Sequence, residues 1–178
     1  MTTPPWARAV AQGLIDTGVL DVVYVPDNPL SHLVRAVETD HPGVRTTIAT
    51  REEEAFGIAA GLYLGGRRPA VLLQSSGLGN SINALASLLV PYRIPALLVI
   101  SMRGEEDEWN AAQAPMARTV RPVLEALGIP TVTIHDAGSA RATLGRTGAL
   151  AFDSQTPAAC LLPRRLTAPE TAPDGGAT

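Results

Sequence analysis

Short apolar runs of strand length alternate along this chain with segments whose apolar positions recur every three or four residues. The apolar runs cover residues 22–25, 46–49, 70–74, 96–101, 131–134 and 158–162. The helical pattern covers residues 6–17, 30–39, 52–64, 81–89, 118–127 and 139–149. Strands that alternate with helices are typical of parallel sheets, because each parallel connection needs a crossover. The pattern therefore predicts an α/β fold, a three-layer αβα sandwich with a six-stranded, mainly parallel sheet.

Ligands of such sheets bind at the carboxyl ends of the strands, so the loops that follow the first four strands are the candidate site. We expect these four loops to meet on one surface. The residues of interest in them are Pro26, Asp27, Asn28, Arg51, Glu52, Gln74, Ser75, Ser76, Asn80 and Arg103.

Three consecutive glutamates begin the predicted helix that follows the second strand, in the stretch TREEEAFGIAAG. Thr50 and Glu53 have the spacing of a capping box, and glutamates on a first turn interact favourably with the helix dipole. Taken alone, this pattern predicts an ordinary helix start, with Glu53 as the capping residue and Glu54 as an exposed charge. Glu52 has the same explanation on these grounds.

Small residues share one face of the same helix, at Gly57, Ala60 and Gly61. Such a face allows a second helix to approach closely. The sequence leaves two partners open for it, a helix of the same domain or a second copy of the chain.

Two further loops are predicted from residue type. The run SSGLGNS, residues 75–81, predicts a sharp glycine turn, with Asn80 or Ser81 capping the next helix. The acidic run of residues 105–108 predicts a solvated loop, because consecutive like charges repel one another.

The chain contains no lysine, so all 14 basic residues are arginines. This composition excludes Schiff-base chemistry on a lysine of this chain. It also excludes a P-loop at SSGLGNS, which lacks the required lysine, and Ile82 stands where a dinucleotide fingerprint needs its third glycine.

Cysteine and histidine give no sign of a metal site. Cys160 is the only cysteine and lies in an apolar run, which predicts a buried structural thiol. His32, His41 and His135 belong to separate predicted elements, so their spacing indicates neither a zinc site nor a catalytic triad. We therefore assign no metal ligand to this chain.

Length and charge indicate the class of protein. The 178 residues, 46% of them hydrophobic, suit one domain, predicted at residues 1–166 and followed by a disordered tail at 167–178. The net charge of −3 offers no basic stripe for a nucleic acid. No stretch approaches the roughly 18 apolar residues of a membrane span, and no secretory leader is evident, so we expect a cytoplasmic protein.

Three stretches together resemble a known family. They read REEEAFGIAAGLYLGG, LLQSSGLGNSINALASL and RGEEDEWNAAQAPM. They are similar to the pyrimidine-binding (Pyr) domain of thiamine diphosphate enzymes, above all to the α subunit of sulfopyruvate decarboxylases and then to phosphonopyruvate decarboxylases.

The resemblance implies roles for the candidate residues. Gly57 sets the register in which Glu52 is the catalytic glutamate that hydrogen-bonds the ring nitrogen N1′ of the cofactor. Ser75 stands where related decarboxylases carry Asn, which bears on the choice of substrate. The implied cofactor-binding residues are Pro26, Asp27, Glu52, Gln74 and Asn80, and the implied substrate-binding residues are Asn28, Gln74, Ser75, Ser76 and Arg103.

The resemblance also implies a partner, because the GDG motif that holds the diphosphate and Mg²⁺ in this family is absent here. It implies a β subunit that carries the diphosphate-binding (PP) domain and the Mg²⁺, together with a Pyr–Pyr contact between α subunits in an α2β2 assembly. The implied activity is decarboxylation of sulfopyruvate to sulfoacetaldehyde or of phosphonopyruvate to phosphonoacetaldehyde. A non-catalytic α/β scaffold subunit and a thiamine diphosphate-dependent carboligase subunit are the alternatives.

Overall fold

The structure, a computed structural model, describes residues 2–106, 108 and 110–168. The strands are β1 (Asp21–Tyr24), β2 (Arg45–Ile48), β3 (Pro69–Gln74), β4 (Leu97–Ser101), β5 (Thr131–Thr133) and β6 (Ala158–Leu162). They form one sheet in the order β2-β1-β3-β4-β6-β5, and every neighbouring pair is parallel. The predicted six-stranded parallel sheet is confirmed.

Helices connect the strands and cover both faces of the sheet. They are α1 (Pro5–Asp16), α2 (Asn28–Asp40), α3 (Glu52–Leu64), α4 (Ser75–Ala84), α5 (Ala114–Ala126), α6 (Ala137–Ser154) and α7 (Arg164–Thr167). A π turn at Leu85–Leu89 continues α4, and a 3₁₀ turn at Ala111–Gln113 leads into α5.

Two apolar cores lie on opposite faces of the sheet. Helices α1, α2 and α6 pack on one face, and α3, α4 and α5 on the other. In the central strand β4, Leu97 and Val99 belong to the first core, whereas Leu98 and Ile100 belong to the second. Because both faces are covered, β4 is apolar from Leu97 to Ile100 instead of alternating with polar residues. The predicted three-layer sandwich is confirmed.

A buried carboxylate organises the amino edge of the sheet. Asp21 accepts hydrogen bonds from Nε and Nη2 of Arg45 at 2.9 and 2.8 Å and is also paired with Arg67. These three residues come from β1, β2 and the segment before β3. This ion-pair cluster joins β1, β2 and the segment before β3 at the amino edge, whereas the candidate site residues follow the strands at the opposite, carboxyl edge.

The end of the domain differs slightly from the prediction. The sequence predicts that the tail begins at Thr167, but this residue ends α7 and is buried. The rest of the predicted tail from residue 169 onwards lies outside the described residues. Across the described ranges, no helix has the length and apolar character needed to cross a membrane. The cytoplasmic location stays a prediction.

Candidate active site

The carboxyl edge of the sheet is lined by the N-termini of three helices. Helices α2, α3 and α4 begin directly after β1, β2 and β3. Helix N-termini carry partial positive charge and free N–H groups, so they make this edge favourable for negatively charged groups. The four predicted loops meet here, through the side-chain contacts described below.

Glu52 is the first residue of α3 and is buried, with 7% of its surface exposed. Among the described residues, no group hydrogen-bonds or ion-pairs with its carboxyl. Glu52 is buried as a residue, but its carboxyl oxygens are not among the fully buried unpartnered atoms of the described residues, so the carboxyl lies where a ligand can reach it. Glu52 therefore has the environment of a group that awaits a ligand.

Gly77 provides the space for this carboxyl. A Cβ atom at residue 77 would overlap the Cγ, Cδ and Oε1 atoms of Glu52. The prediction of a glycine turn at SSGLGNS is wrong, because α4 already begins at Ser75 and Gly77 lies on its first turn. The glycine serves close contact between α3 and α4 rather than a reversal of the chain.

The capping prediction is also wrong by one residue. Glu54, not Glu53, contacts Thr50: its Oε2 accepts hydrogen bonds from the backbone N and Oγ1 of Thr50 at 2.7 and 2.6 Å, which lower the pKa of Glu54. Glu53 instead pairs with Arg51 at 2.9 Å, and its Oε2 is buried without a hydrogen-bond partner in the described structure. The reason is register: the helix starts at Glu52, so Glu54 occupies the third position and reaches back over the helix start.

Ser75 joins the ends of β3 and β4. Its buried Oγ accepts a hydrogen bond from the backbone N of Arg103 at 3.1 Å and donates to the backbone O of Arg103 at 3.3 Å. The hydroxyl that the sequence assigned to substrate binding is thus held by the protein backbone in this structure.

Arg103 lies in a nearly buried ion-pair cluster, with 13% of its side chain exposed. Its Nε donates to Oε2 of Glu108 at 2.9 Å, and its Nη1 donates to Oδ1 of Asp27 at 3.4 Å. The Glu108 carboxylate also accepts from the backbone N–H groups of Gly104 and Asn110, both at 3.1 Å. Hydrogen bonding to Arg103 is the main reason that the pKa of Glu108 falls to about 2.

The acidic run is therefore not simply a solvated loop, as the sequence suggested. The Glu108 side chain is 3% exposed. Its carboxylate occupies the guanidinium fork of Arg103, the place where an anionic ligand of Arg103 would bind.

Asp27 extends the same cluster to β1. Its Oδ2 accepts a hydrogen bond from Oγ of Ser101, the last residue of β4, at 2.7 Å. One arginine thus faces two carboxylates, those of Asp27 and Glu108. The contacts account for both oxygens of Asp27, so in this structure the side chain fastens β1 to β4.

The other predicted site residues lie on the same edge with different exposure. Gln74 and Ser76 are half-buried, whereas Pro26, Asn28 and Asn80 are exposed. Pro26 and Asp27 line a cavity of about 300 Å³ between β1 and α2. Gln74 ends β3, and the other residues follow β1 or β3 at the carboxyl edge, where α2, α3 and α4 begin.

Sequence reasoning missed three residues that shape this site: Gly77, Ser101 and Glu108. The signal for Gly77 was present, because SSGLGNS directly follows a strand and a helix can start there. Ser101 donates to Asp27, which lies 74 positions earlier in the sequence. Glu108 accepts from Arg103, five positions earlier, because the loop between them folds back. Neither contact follows from the hydrophobic pattern of the sequence.

Comparison with known proteins decides the family. Residues 6–118 match the family model described as "Thiamine pyrophosphate enzyme, N-terminal TPP binding domain". The chain belongs to this family of thiamine pyrophosphate enzymes. The resemblance seen in the sequence is thereby confirmed.

Several relatives similar to this thiamine pyrophosphate enzyme domain are named decarboxylases. The chain is 39% identical to sulfopyruvate decarboxylase subunit alpha of Methanothermobacter thermautotrophicus, over 88% of this chain and 94% of that protein. It is 46% identical to the protein of the same name in Methanocaldococcus jannaschii, over 69% of this chain and 72% of that one. It is 41% identical to phosphonopyruvate decarboxylase of Streptomyces viridochromogenes, over 60% of this chain and 27% of that longer protein.

A solved structure supports the fold assignment. The domain superposes on the 2-oxoglutarate:ferredoxin oxidoreductase of Magnetococcus marinus with a TM-score of 0.74 and 18% identity, over 91% of this chain and 29% of that one. This likeness shows a shared fold.

The residues of the domain fit a thiamine pyrophosphate ring at one position. Glu52 is a buried residue whose carboxyl has no partner among the described side chains, and the absent Cβ of Gly77 leaves the space beside it. Within the described residues, no group of three or more His, Cys, Asp or Glu is arranged to hold a metal ion. The chain thus offers a place for the ring.

Proposed function

We propose that this chain is the α subunit of a two-subunit, thiamine diphosphate-dependent decarboxylase of a three-carbon 2-oxoacid, either sulfopyruvate or phosphonopyruvate. The relatives with these names support the reaction class. The observation that carries the proposal is Glu52, a buried residue at a helix N-terminus whose carboxyl has no partner among the described residues and lies against Gly77.

Glu52 hydrogen-bonds ring nitrogen N1′ of the cofactor in this proposal. Removal of CO₂ from a 2-oxoacid leaves an electron pair that a proton replaces in the aldehyde product, and bound thiamine diphosphate supplies the electron sink for that pair. The Glu52 residue is only 7% exposed, so few water molecules would compete with the ring for that hydrogen bond. The small and apolar neighbours Ala55 and Phe56, both fully buried, keep this side of α3 dry.

We propose that the remaining site residues have the roles that the resemblance implies, and they differ in how far the protein already engages their side chains. Gln74 and Ser76 are half-buried beside α3 and are suited to contact the cofactor or substrate. Arg103 is already bonded to Glu108 and Asp27, so a substrate acid group binds its guanidinium only if Glu108 leaves. The proposal also includes contacts with bound cofactor or substrate for Pro26, Asp27, Asn28, Ser75 and Asn80.

The proposed assembly contains a β subunit with the PP domain, which holds the diphosphate and Mg²⁺, in an α2β2 complex. The relatives named subunit alpha support a partner. Helix α3 supports a surface for another chain, because Gly57 and Gly61 are exposed with open space around them and Leu64 is 75% exposed. This open space argues against packing of Gly57 and Gly61 within the domain. We propose instead that they contact a second α subunit.

The test is co-expression with a GDG-containing partner chain, followed by assays of aldehyde release from sulfopyruvate, phosphonopyruvate and pyruvate. Glu52→Gln should lower turnover by roughly 10²-fold or more, the scale of losing a group that moves protons. Glu54→Gln is the matched control, since Glu54 is on the same turn but is bonded to Thr50.

Wild-type turnover by the Glu52→Gln complex would overturn the proposal. Formation of an acyloin in place of the aldehyde would identify a carboligase. An intact complex without turnover of any 2-oxoacid would identify a non-catalytic subunit.

A further inference from the structure

A second cavity, of about 440 Å³, lies at the carboxyl ends of β5 and β6, away from Glu52. Its walls include Arg118 and Arg121 of α5, Arg165 of α7, His135 after β5, and Glu105 after β4. Its volume is in the range of small-molecule sites. Much of its lining follows β5 and β6, which lie beyond β4 from β3, whereas Glu52 and Gly77 follow β2 and β3 and do not line it.

The cavity contains cationic groups that have no carboxylate partner among the described residues. Arg118 has no hydrogen bond or ion pair in the described part of the chain. Arg165 donates from Nη2 to Nδ1 of His135 at 2.6 Å. A guanidinium has no acceptor, so Nδ1 of His135 is the acceptor in this contact. The Arg165 charge is therefore not offset by His135.

Glu105 would compete with a bound anion for Arg121. The Nη1 atom of Arg121 donates to Oγ1 of Thr133 at 2.8 Å, and its Nη2 lies 3.5 Å from Oε1 of Glu105. Both members of the Arg121–Glu105 pair are partly exposed, a setting in which ion pairs are weak. A bound anion with several oxygens offers Arg121 a better acceptor than Glu105 does.

Among the residues that line the cavity, three arginines outnumber the two glutamates, Glu105 and Glu106. Arginine forks suit planar or tetrahedral oxygen anions because they donate two parallel hydrogen bonds. We propose that this cavity is a binding site for a small tetrahedral oxyanion, a phosphate, phosphonate, sulfate or sulfonate group, held by Arg118, Arg121 and Arg165 with displacement of Glu105.

The proposal has a structural consequence for the loop between β4 and α5. Glu105 belongs to the same short segment as Glu108, which holds Arg103. Gly104 fixes the start of this segment, because its φ is +78° and a side chain there would collide with the backbone of Gln113. Anion binding that frees Glu105 thus acts on the segment that covers Arg103.

The test is calorimetric titration of the full chain with inorganic phosphate, at constant ionic strength with chloride as the background anion. We expect saturable one-to-one binding. The double variant Arg118→Gln/Arg165→Gln should weaken it by roughly tenfold or more, because two charge-assisted contacts are lost. Glu105→Gln should tighten it several-fold, because the competitor for Arg121 is neutralised.

Two control variants test whether phosphate binding is specific to this cavity. Arg141→Gln removes an arginine of α6 that is paired with Asp16 on the opposite face of the sheet, and should leave binding unchanged. Glu52→Gln should also leave it unchanged, which separates this site from the one proposed for the cofactor. Sulfate, methylphosphonate and methanesulfonate in parallel titrations distinguish an inorganic anion from an organic phosphonate or sulfonate as the preferred ligand.

Several results would overturn the proposal. Absence of saturation, equal binding by the double variant and wild type, or no gain from Glu105→Gln would each do so. A fall in affinity in the Arg141→Gln variant as large as in the double variant would indicate general charge screening instead of a site.

Discussion

The carboxyl of Glu52 lies in the space that a side chain at Gly77 would occupy, so only glycine at residue 77 leaves room for it. The two residues begin neighbouring helices, α4 and α3, on the same side of the sheet. Their contact places an unpaired carboxyl at the carboxyl edge of the sheet, and it makes residue 77 as important to the site as residue 52.

Gly77→Ala tests this relationship. The added methyl group overlaps the Glu52 side chain, so either the carboxyl or α4 must move. We expect a loss of stability of about 1–3 kcal/mol, the usual cost of overpacking, together with a large fall in decarboxylation by the α/β complex. Urea unfolding of the lone chain and kcat of the complex measure the two effects. Full activity of a Gly77→Ala complex would contradict the proposed place of Glu52.

Gly57→Ala should have the opposite effect on the lone chain. Gly57 lies inside α3, and no atom lies within 4 Å of the position that an added methyl group would take, so alanine raises helix propensity without a clash. We expect stabilisation by about 0.5–1 kcal/mol in thermal or urea unfolding.

The same substitution tests the surface of α3. If another chain packs closely on Gly57 and Gly61, the methyl group weakens assembly although it stabilises the subunit. Analytical ultracentrifugation of variant and wild-type complexes at equal concentrations measures this. A stabilised chain that assembles as well as the wild type would exclude Gly57 from the contact.

The lowered pKa of Glu108 predicts that the free energy of unfolding depends on pH. The pKa of Glu108 is lowered from 4.5 to about 2, so its ionised form stabilises the fold at pH values above about 4.5. This contribution, about 3 kcal/mol at most, is lost as pH falls from about 5 to about 2. The free-energy difference between wild type and Glu108→Gln should therefore be large at pH 7 and much smaller at pH 3.

Urea unfolding of both proteins at the two pH values checks this expectation. Glu106→Gln serves as the control, because Glu106 is an exposed residue of the same segment. A difference between wild type and Glu108→Gln that does not change with pH would show that Glu108 does not act through its charge.

Cys160 should be inert in the folded protein. Its thiol is fully buried in β6, and burial raises its pKa to about 11, so little thiolate exists at pH 8. We expect thiol reagents to label the chain only after addition of denaturant, with one label per chain as measured by mass spectrometry. Rapid labelling of the native chain would show that the strand opens.

The sequence predicted the central strands well because β3, β4 and β6 consist mainly of short apolar runs. Parallel strands buried on both faces are largely apolar, as in Leu97–Ile100 of β4, so their positions are visible in the local pattern. The edge strands β2 (RTTI) and β5 (TVT) are more polar. The start of α4 was harder, since serine and glycine are typical of turns as well as of helix starts. Its helical geometry depends on packing against α3, which the local pattern does not contain.

The sequence by itself determined the layered α/β fold, the family and Glu52 as the candidate glutamate, because these depend on periodicity and on motifs that are contiguous in the chain. Only the tertiary structure decided which of the neighbouring glutamates caps α3, where Glu108 lies, and which hydroxyls and carboxylates of the edge are already engaged. Hydrogen bonds such as those of Asp27 with Ser101 and of Ser75 with Arg103 join residues far apart in sequence. Their partners are set by how strands and helices pack, and this is a property of the whole domain.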